Sequence, residues 1–310
     1  MKYKIGMPRA LLFHHYSKLW ISFFEELHYQ VIVSPETNKK ILERSIALAN
    51  DESCLSAKLL LGHIEAIKDK VDYIFLPRYT AIVKGELLCD KFCGINDITT
   101  NTFPNLKILD FSVDDRGKLH NEFIGFLKIG IQLKNNPISV VQAYKKAKKK
   151  LETYYLEEIK KQEEKLKNNQ GKPVIIIVSH AYNIYDSFIG QQIIKYLEKM
   201  DILVINADIV DKVKARELSK NLSEDLYWTF NKEIIGGLEY YRKQVDGIIF
   251  LMTFPCGPDS LVVTLCQNKI KDVPLIVLTV DEQAGDVGLK TRLESFVDIL
   301  KMKQKRNEKN

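Results

Sequence analysis

Asp246-Gly247-Ile248-Ile249-Phe250-Leu251-Met252-Thr253 is an apolar run of strand length, and Phe254-Pro255-Cys256-Gly257-Pro258-Asp259 follows it without a spacer. A run with no polar alternation marks a strand buried on both faces, which is the setting of a parallel sheet. Behind it Leu261 to Asn268 reads as a helix and Pro274 to Val280 as the next strand, while Leu226 to Gln244 ahead of it reads mainly as helix. Strands that alternate with helices imply a parallel sheet, whose sites collect at the carboxyl ends of the strands. Cys256 stands at such an end. Glycine beside it allows close approach of a bulky group, and proline at the helix start leaves first-turn amides available to an anion. A plain structural turn is the competing reading.

The same alternation extends outward. Pro173 to Ser179 predicts a strand ending at His180, Ser187 to Lys199 a helix, Asp201 to Asn206 a strand and Lys290 to Leu300 the last helix. In the N-terminal half, Tyr3 to Met7, Gln30 to Val33, Tyr73 to Pro77 and Leu106 to Asp110 read as strands. Lys18 to Leu27 and Ser56 to Ile67 read as helices, and Ser34-Pro35-Glu36 reads as the cap of a helix running to about Ala49. The stretch through Cys89 and Cys93 reads as irregular. Ile124 to Ile131 carries a weak strand signal, and Pro137 to Lys167 reads as a helix that breaks near Asn168 to Gly171, with Val140, Val141, Tyr144, Ala147, Leu151, Tyr155 and Ile159 as a buried stripe. The expected organisation is α/β: residues 1–120 and 171–310 as two sheet-containing halves around a cysteine-rich cleft, with 121–170 as a helical bridge. No residue-level repeat relates the halves.

A length of 310 residues suits two ordinary domains, and 45% hydrophobic with 28% charged residues excludes wholesale disorder. No basic segment with an apolar run behind it marks a signal peptide, and no apolar stretch reaches bilayer length. The formal charge of +6 comes largely from Lys145 to Lys150 and Lys301 to Arg306, which read as solvated faces rather than a nucleic-acid module. Five cysteines, an odd number, place the chain in a reducing compartment, the cytoplasm. A Walker lysine motif and a G-x-G-x-x-G fingerprint are both missing, which argues against the chain being an ATPase or a dinucleotide binder.

Cys54 lies in a loop entering a helix, with Lys58 and Gly62-His63 following at helical spacing; Cys89 and Cys93 form a C-x3-C pair; Cys266 sits inside an apolar helix as a core thiol. Thiols from several loops, Cys54, Cys89, Cys93 and Cys256, suit an iron–sulfur cluster. Zinc is a rival, weakened by the lack of C-x2-C knuckles, and a Cys256 nucleophile with His180 or His63 as base is another. Arg9 and Arg78 follow strand-terminal prolines and have the fork geometry to hold a carboxylate or phosphate, with a surface salt bridge as the ordinary alternative. His180, with Tyr182 and Asp186 downstream, ends a strand. The stretch from Asp281-Glu282 through Gly285 and Gly288 to Arg292 reads as a loop closing over a ligand, or as the charged lead-in to the last helix.

Four segments together resemble one family: Ile5-Gly6-Met7-Pro8-Arg9; Cys54-x3-Lys58-x3-Gly62-His63-Ile64 with Phe75-Leu76-Pro77-Arg78; Phe254-Pro255-Cys256-Gly257-Pro258-Asp259-Ser260; and Asp281-Glu282-Gln283-Ala284-Gly285 leading into Thr291-Arg292-Leu293-Glu294-Ser295-Phe296. The chain is similar to the group related to the 2-hydroxyacyl-CoA dehydratase activase and to the dehydratase and benzoyl-CoA reductase subunits. That resemblance implies two Rossmann-like subdomains with mostly parallel sheets and a [4Fe–4S] cluster held by Cys54, Cys256 and Cys89 or Cys93. Arg9, Lys58, His63, Arg78, His180 and Arg292 would surround the cluster or its substrate. It further implies an anaerobic electron-transfer component, fed by an ATP-hydrolysing iron–sulfur activase and acting on a small substrate such as an acyl-CoA. A second copy or a related subunit would be a further partner. Gln283 stands where the family commonly has histidine. The alternative is a non-catalytic scaffold or metal-binding partner whose cysteines carry zinc or stay as thiols.

Overall fold

The computed structural model describes residues 3–115, 121–283 and 286–307. The chain forms two compact units, one running to Leu156 and including Tyr227–Thr229, the other made of Glu157–Leu226 and the chain from Phe230 onward.

In the first unit the order is β1 (Lys4–Met7), α1 (Phe13–Glu26), β2 (Gln30–Val33), α2 (Lys39–Leu48), α3 (Leu55–Ile67), β3 (Tyr73–Phe75), β4 (Arg78–Ala81), α4 (Asp90–Thr102), β5 (Ile108–Leu109), β6 (Ser112–Asp114) and α5 (Glu122–Gln132). Then α6 (Pro137–Lys167) carries the chain into the second unit. The four-stranded sheet has the order β2-β1-β3-β5, and every pairing in it is parallel. Beyond Pro77, β4 and β6 continue as a separate parallel pair. An aromatic core covers one face of this unit: Phe24 and Trp20 pack on Phe75 at 5.0 and 5.2 Å, and Phe126 on Phe23 and Phe111 at 4.6 and 5.1 Å between ring centroids. Glu122 ties three elements together, accepting hydrogen bonds from Tyr79 at 3.0 Å, Tyr144 at 2.9 Å and Lys148 at 2.8 Å. The Tyr144 and Tyr79 phenols are pushed up by burial first and then by the Glu122 charge, which keeps both as donors.

The second unit continues with β7 (Val174–Val178), α7 (Ala181–Ile184), α8 (Gln191–Lys199), β8 (Leu203–Asn206), α9 (Lys212–Leu218), α10 (Thr229–Tyr241), β9 (Gly247–Thr253), α11 (Gly257–Lys269), β10 (Leu275–Val280) and α12 (Asp286–Asn307). Its sheet has the order β10-β9-β7-β8, again all parallel. All residues of β7 and β9 are buried, as their uniform apolar sequence predicts. Gln162 from α6 clamps the end of β8, donating to the carbonyls of Asn206 and Ile209 and accepting from the Asn206 amide at 2.8 Å. Each unit is therefore a Rossmann-like α/β layer with its first strand in the interior of the sheet and one winding pattern.

Several expectations are corrected here. The stretch around Cys89 and Cys93 is not irregular: it forms α4, whose Gly94, Asn96, Thr99 and Thr100 concealed the helix signal. Ser34 does not cap a helix; α2 starts later, capped by Asn38, whose side chain accepts from the Ile41 amide. Ile124 to Ile131 is helical, within α5 behind an Asn121 cap. Among the described residues no helix is long and apolar enough to cross a membrane.

In α10, added methyl groups at Gly236 and Gly237 would lie 1.8 Å from the carbonyl oxygens of Ala215 and Ala207. Backbone at that distance cannot yield as a flexible side chain can. Gly237→Ala is therefore expected to cost about 3 kcal/mol or more, seen as faster hydrogen exchange of the β8 and α9 amides; wild-type protection in the variant would refute the close approach.

Candidate functional site

The carboxyl edge of each sheet carries a cluster of buried polar side chains. In the second unit His180 follows β7 and Asp259 lies in the first turn of α11, after the β9 terminus. These are the adjacent central strands where the winding reverses, the position at which sheets of this class bind ligands. His180 Nε2 and Asp259 Oδ1 are 2.8 Å apart, and Asn231 Nδ2 donates to the same oxygen at 2.9 Å. His180 and Asp259 are 3% and 5% exposed. Burial alone would raise the Asp259 carboxyl, but the His180 charge and hydrogen bonds from His180, Asn231 and the Cys256 thiol outweigh it and hold the group below its ordinary value.

With Asp259 ionised, Nε2 carries the proton that faces it. Nδ1 of His180 is buried and has no hydrogen-bond partner among the described residues. Tyr182 stacks on the ring with centroids 4.9 Å apart, which fixes its plane. Asp208 follows β8, the neighbour of β7, in a buried position. Burial pushes its carboxyl up to about 6, with Lys212, Tyr185 and His180 opposing the rise, and its Oδ1 also lacks a partner among the described residues. Unpaired polar atoms at this depth are rare in folded proteins, and these two belong to residues that follow the adjacent strands β7 and β8.

The first unit has a different cluster. His63, wholly buried in α3, faces Ser34 Oγ through Nδ1 at 2.8 Å and Thr37 Oγ1 through Nε2 at 3.0 Å. Ser34 Oγ also accepts from the Arg9 amide at 2.8 Å, and the Ser34 carbonyl accepts from Arg9 Nε at 3.2 Å. Burial, then the nearby His14 and Arg9, lowers His63 to about 3, and burial lowers His14 to about 4. Both imidazoles are therefore neutral at pH 7.

The other expected site residues have surroundings of their own. Lys58 is buried in α3 at 2% exposure. Arg78 spends its fork on Asp97, at 3.2 and 3.3 Å, and reaches Asp110 at 3.7 Å, which is the salt-bridge alternative. Arg292 donates to the Val277 carbonyl at 2.6 Å, along β10. In the loop expected to close over a ligand, Ala284 and Gly285 lie outside the described residues. Asp208, Asn231, Ser34 and Thr37 joined the clusters without a sequence signal beyond their position after or between elements.

The cluster expectation does not stand. Cys54, Cys89 and Cys256 are the N-caps of α3, α4 and α11, and Cys93 lies one turn inside α4. Among the described residues no group of three or more His, Cys, Asp and Glu is placed to hold a metal ion. A [4Fe–4S] cluster or a zinc ion needs several ligands converging on one point, so the thiols do not fit either, and the iron–sulfur, electron-transfer and metal-binding assignments fall with them. None of the five cysteines is in a disulfide. Cys266 is core, its thiol pushed up to about 12 by burial. For a nucleophile the imidazole should accept the thiol proton, but Asp259 stands in the chain of contacts between Cys256 and His180.

Residues 4–210 match the profile of the CoA enzyme activase uncharacterised domain (DUF2229), and the chain belongs to that family. No curated protein matches it. A solved structure, the SBP FpvC from Pseudomonas aeruginosa in complex with Mn2+, aligns over 98% of both chains at 10% identity with a TM-score of 0.30, too low to carry an argument.

Two outcomes follow from the clusters. An unfolded histidine titrates near 6.5, so His63 and His14 bind protons in the unfolded chain before they do in the native one. Stability contributed by these neutral rings is complete above pH 6.5 and is lost as pH falls toward 4 and then 3, by about 1.4 kcal/mol per pH unit for His63. Both tryptophans, Trp20 and Trp228, lie in the first unit, so urea unfolding followed by tryptophan fluorescence at pH 7.5 and pH 5 reads it. A His63→Gln variant should show a flatter slope; an equal slope would place the buried imidazole elsewhere. In the second unit Asp259→Ala strands the buried His180 ring, and a loss of about 3 kcal/mol is expected from calorimetric unfolding.

Proposed function

We propose that the chain serves a CoA enzyme activase system as a component that holds a small polar molecule, working beside an ATP-hydrolysing activase in the cytoplasm. The observation that carries this reading is the His180 ring: fixed by Asp259 and Tyr182, buried, and left with an unpartnered Nδ1 at the winding reversal of a parallel sheet. Family membership supports the system, and the edge cluster supports the role. Nδ1 is open to a hydrogen bond from or to the ligand, and Asp208 Oδ1, at the end of the neighbouring strand, is open to a donor, so the ligand is a polar molecule with hydroxyl, amide or similar groups. The reading asks no metal of the chain.

Two measurements test it. Isotope-edited spectra of the histidine rings should show His180 shifting when a panel of CoA thioesters and free hydroxy acids is added, and His180→Gln should weaken binding at least tenfold. A tagged chain expressed in its own host should co-purify with the activase. If no compound of the panel moves the His180 signals and no activase is retained, the reading fails.

A further inference from the structure

The turn after β1 borders a cavity of about 390 Å³ in the first unit. Its wall is apolar, built from Leu48 at the end of α2, Ala57, Leu60 and Leu61 in α3, and Ile95 and Ile98 in α4. Ile98 is 40% exposed, which brings the cavity to the surface. Leu11 completes the wall, just past the carboxyl end of β1. The sheet reverses its winding at that strand, because the chain leaves β1 for β2 on one side and returns to β3 on the other. Parallel sheets take their ligands in the crevice at such a reversal. Leu11 carries a second mark: its φ of 49° lies in the left-handed region that leucine rarely adopts. His28, Lys134 and Asp201 share the region, but each stands just behind a helix, α1, α5 or α8, where it is an ordinary way to end one. Leu11 stands ahead of α1 and ends nothing. Backbone held in this region against its cost is characteristic of binding sites.

Charge names the occupant. Of the described residues that line the cavity, Lys91 alone is charged, a half-buried side chain in the first turn of α4. The cavities beside Tyr240 and between α2 and α3, in contrast, each include a glutamate, Glu163 and Glu65. We propose that the cavity at Leu11 binds a small aliphatic carboxylate, its alkyl chain along the apolar wall and its head group on the Lys91 ammonium. One ammonium is a compact point charge and matches a singly charged head. The chain supplies most of the affinity by leaving water, and the half-buried ion pair selects the anion over a neutral chain of equal length. The proposal concerns the first unit and does not rest on the reading of His180; either can fail alone.

Octanoate is the probe and octan-1-ol its neutral control, each titrated into the whole chain by calorimetry. Octanoate should bind saturably, and affinity should rise about fourfold per methylene from butyrate to octanoate, as burial of a methylene group predicts. It should also raise the midpoint of the tryptophan-detected urea unfolding of the first unit. Lys91→Gln should weaken octanoate about threefold and leave octan-1-ol unchanged. Ala57→Leu, which narrows the cavity, should weaken both; should that variant fail to fold, the Lys91→Gln comparison decides alone. No saturable binding of octanoate, or an equal effect of Lys91→Gln on acid and alcohol, would overturn the proposal. A chain that self-associates on sedimentation, with octanoate binding lost as its concentration rises, would make the occupant a second copy and overturn it as well.

Discussion

Parallel pairing is the constraint on which everything else here depends. Two parallel strands cannot be joined by a tight turn, so each connection must travel back over a face of the sheet, and the helices that do this bury that face. The first strand of each unit, β1 and β7, lies inside its sheet with a parallel neighbour on either side. That arrangement gathers the carboxyl ends of successive strands at one edge. Apolar residues fill the strands, and the polar residues that each strand delivers come to rest together just past its end.

The two edges handle the cost of burying polar groups differently. In the first unit a histidine is kept neutral and satisfied by hydroxyls, Ser34 and Thr37, which can donate or accept as the ring requires. In the second an imidazole meets a carboxylate that also receives Asn231 and the Cys256 thiol. A buried carboxylate survives ionised only when several donors converge on it, and Asp259 has them. At Asp208 the opposing Lys212, Tyr185 and His180 are weaker than the burial, which pushes its carboxyl up to about 6. Similar strand-end positions thus produce opposite protonation behaviour, decided by what the neighbouring elements bring.

The cysteines show how a sequence pattern can be read correctly in position and wrongly in purpose. Each of Cys54, Cys89 and Cys256 does stand where a helix begins. A helix start alone does not make a metal site, however, and among the described residues no group of three or more His, Cys, Asp and Glu is placed to hold one. The Cys256 thiol is used instead to support the Asp259 carboxylate.

The strands of the two four-stranded sheets were legible from local chemistry, whereas the short pair β4 (Arg78–Ala81) and β6 (Ser112–Asp114) was not. The short, β-branched-rich runs at 174–178 and 247–253 suited strands buried on both faces, and the spacing of the stripe from Val140 to Ile159 suited one long helix, because a helix buried on one side imposes a period on its residues. The helix at Cys89 was not legible, since glycine, asparagine and threonine are weak helix formers and the segment gains its helicity from packing Phe92 and Ile95. Strand order, and with it the pairing of His180 with Asp259 across 79 positions or of Ser34 with His63 across 29, was decided only by the tertiary structure. Side chains so far apart in the chain leave no mark of each other on the local pattern; only the return of the backbone over the sheet brings them within hydrogen-bonding distance.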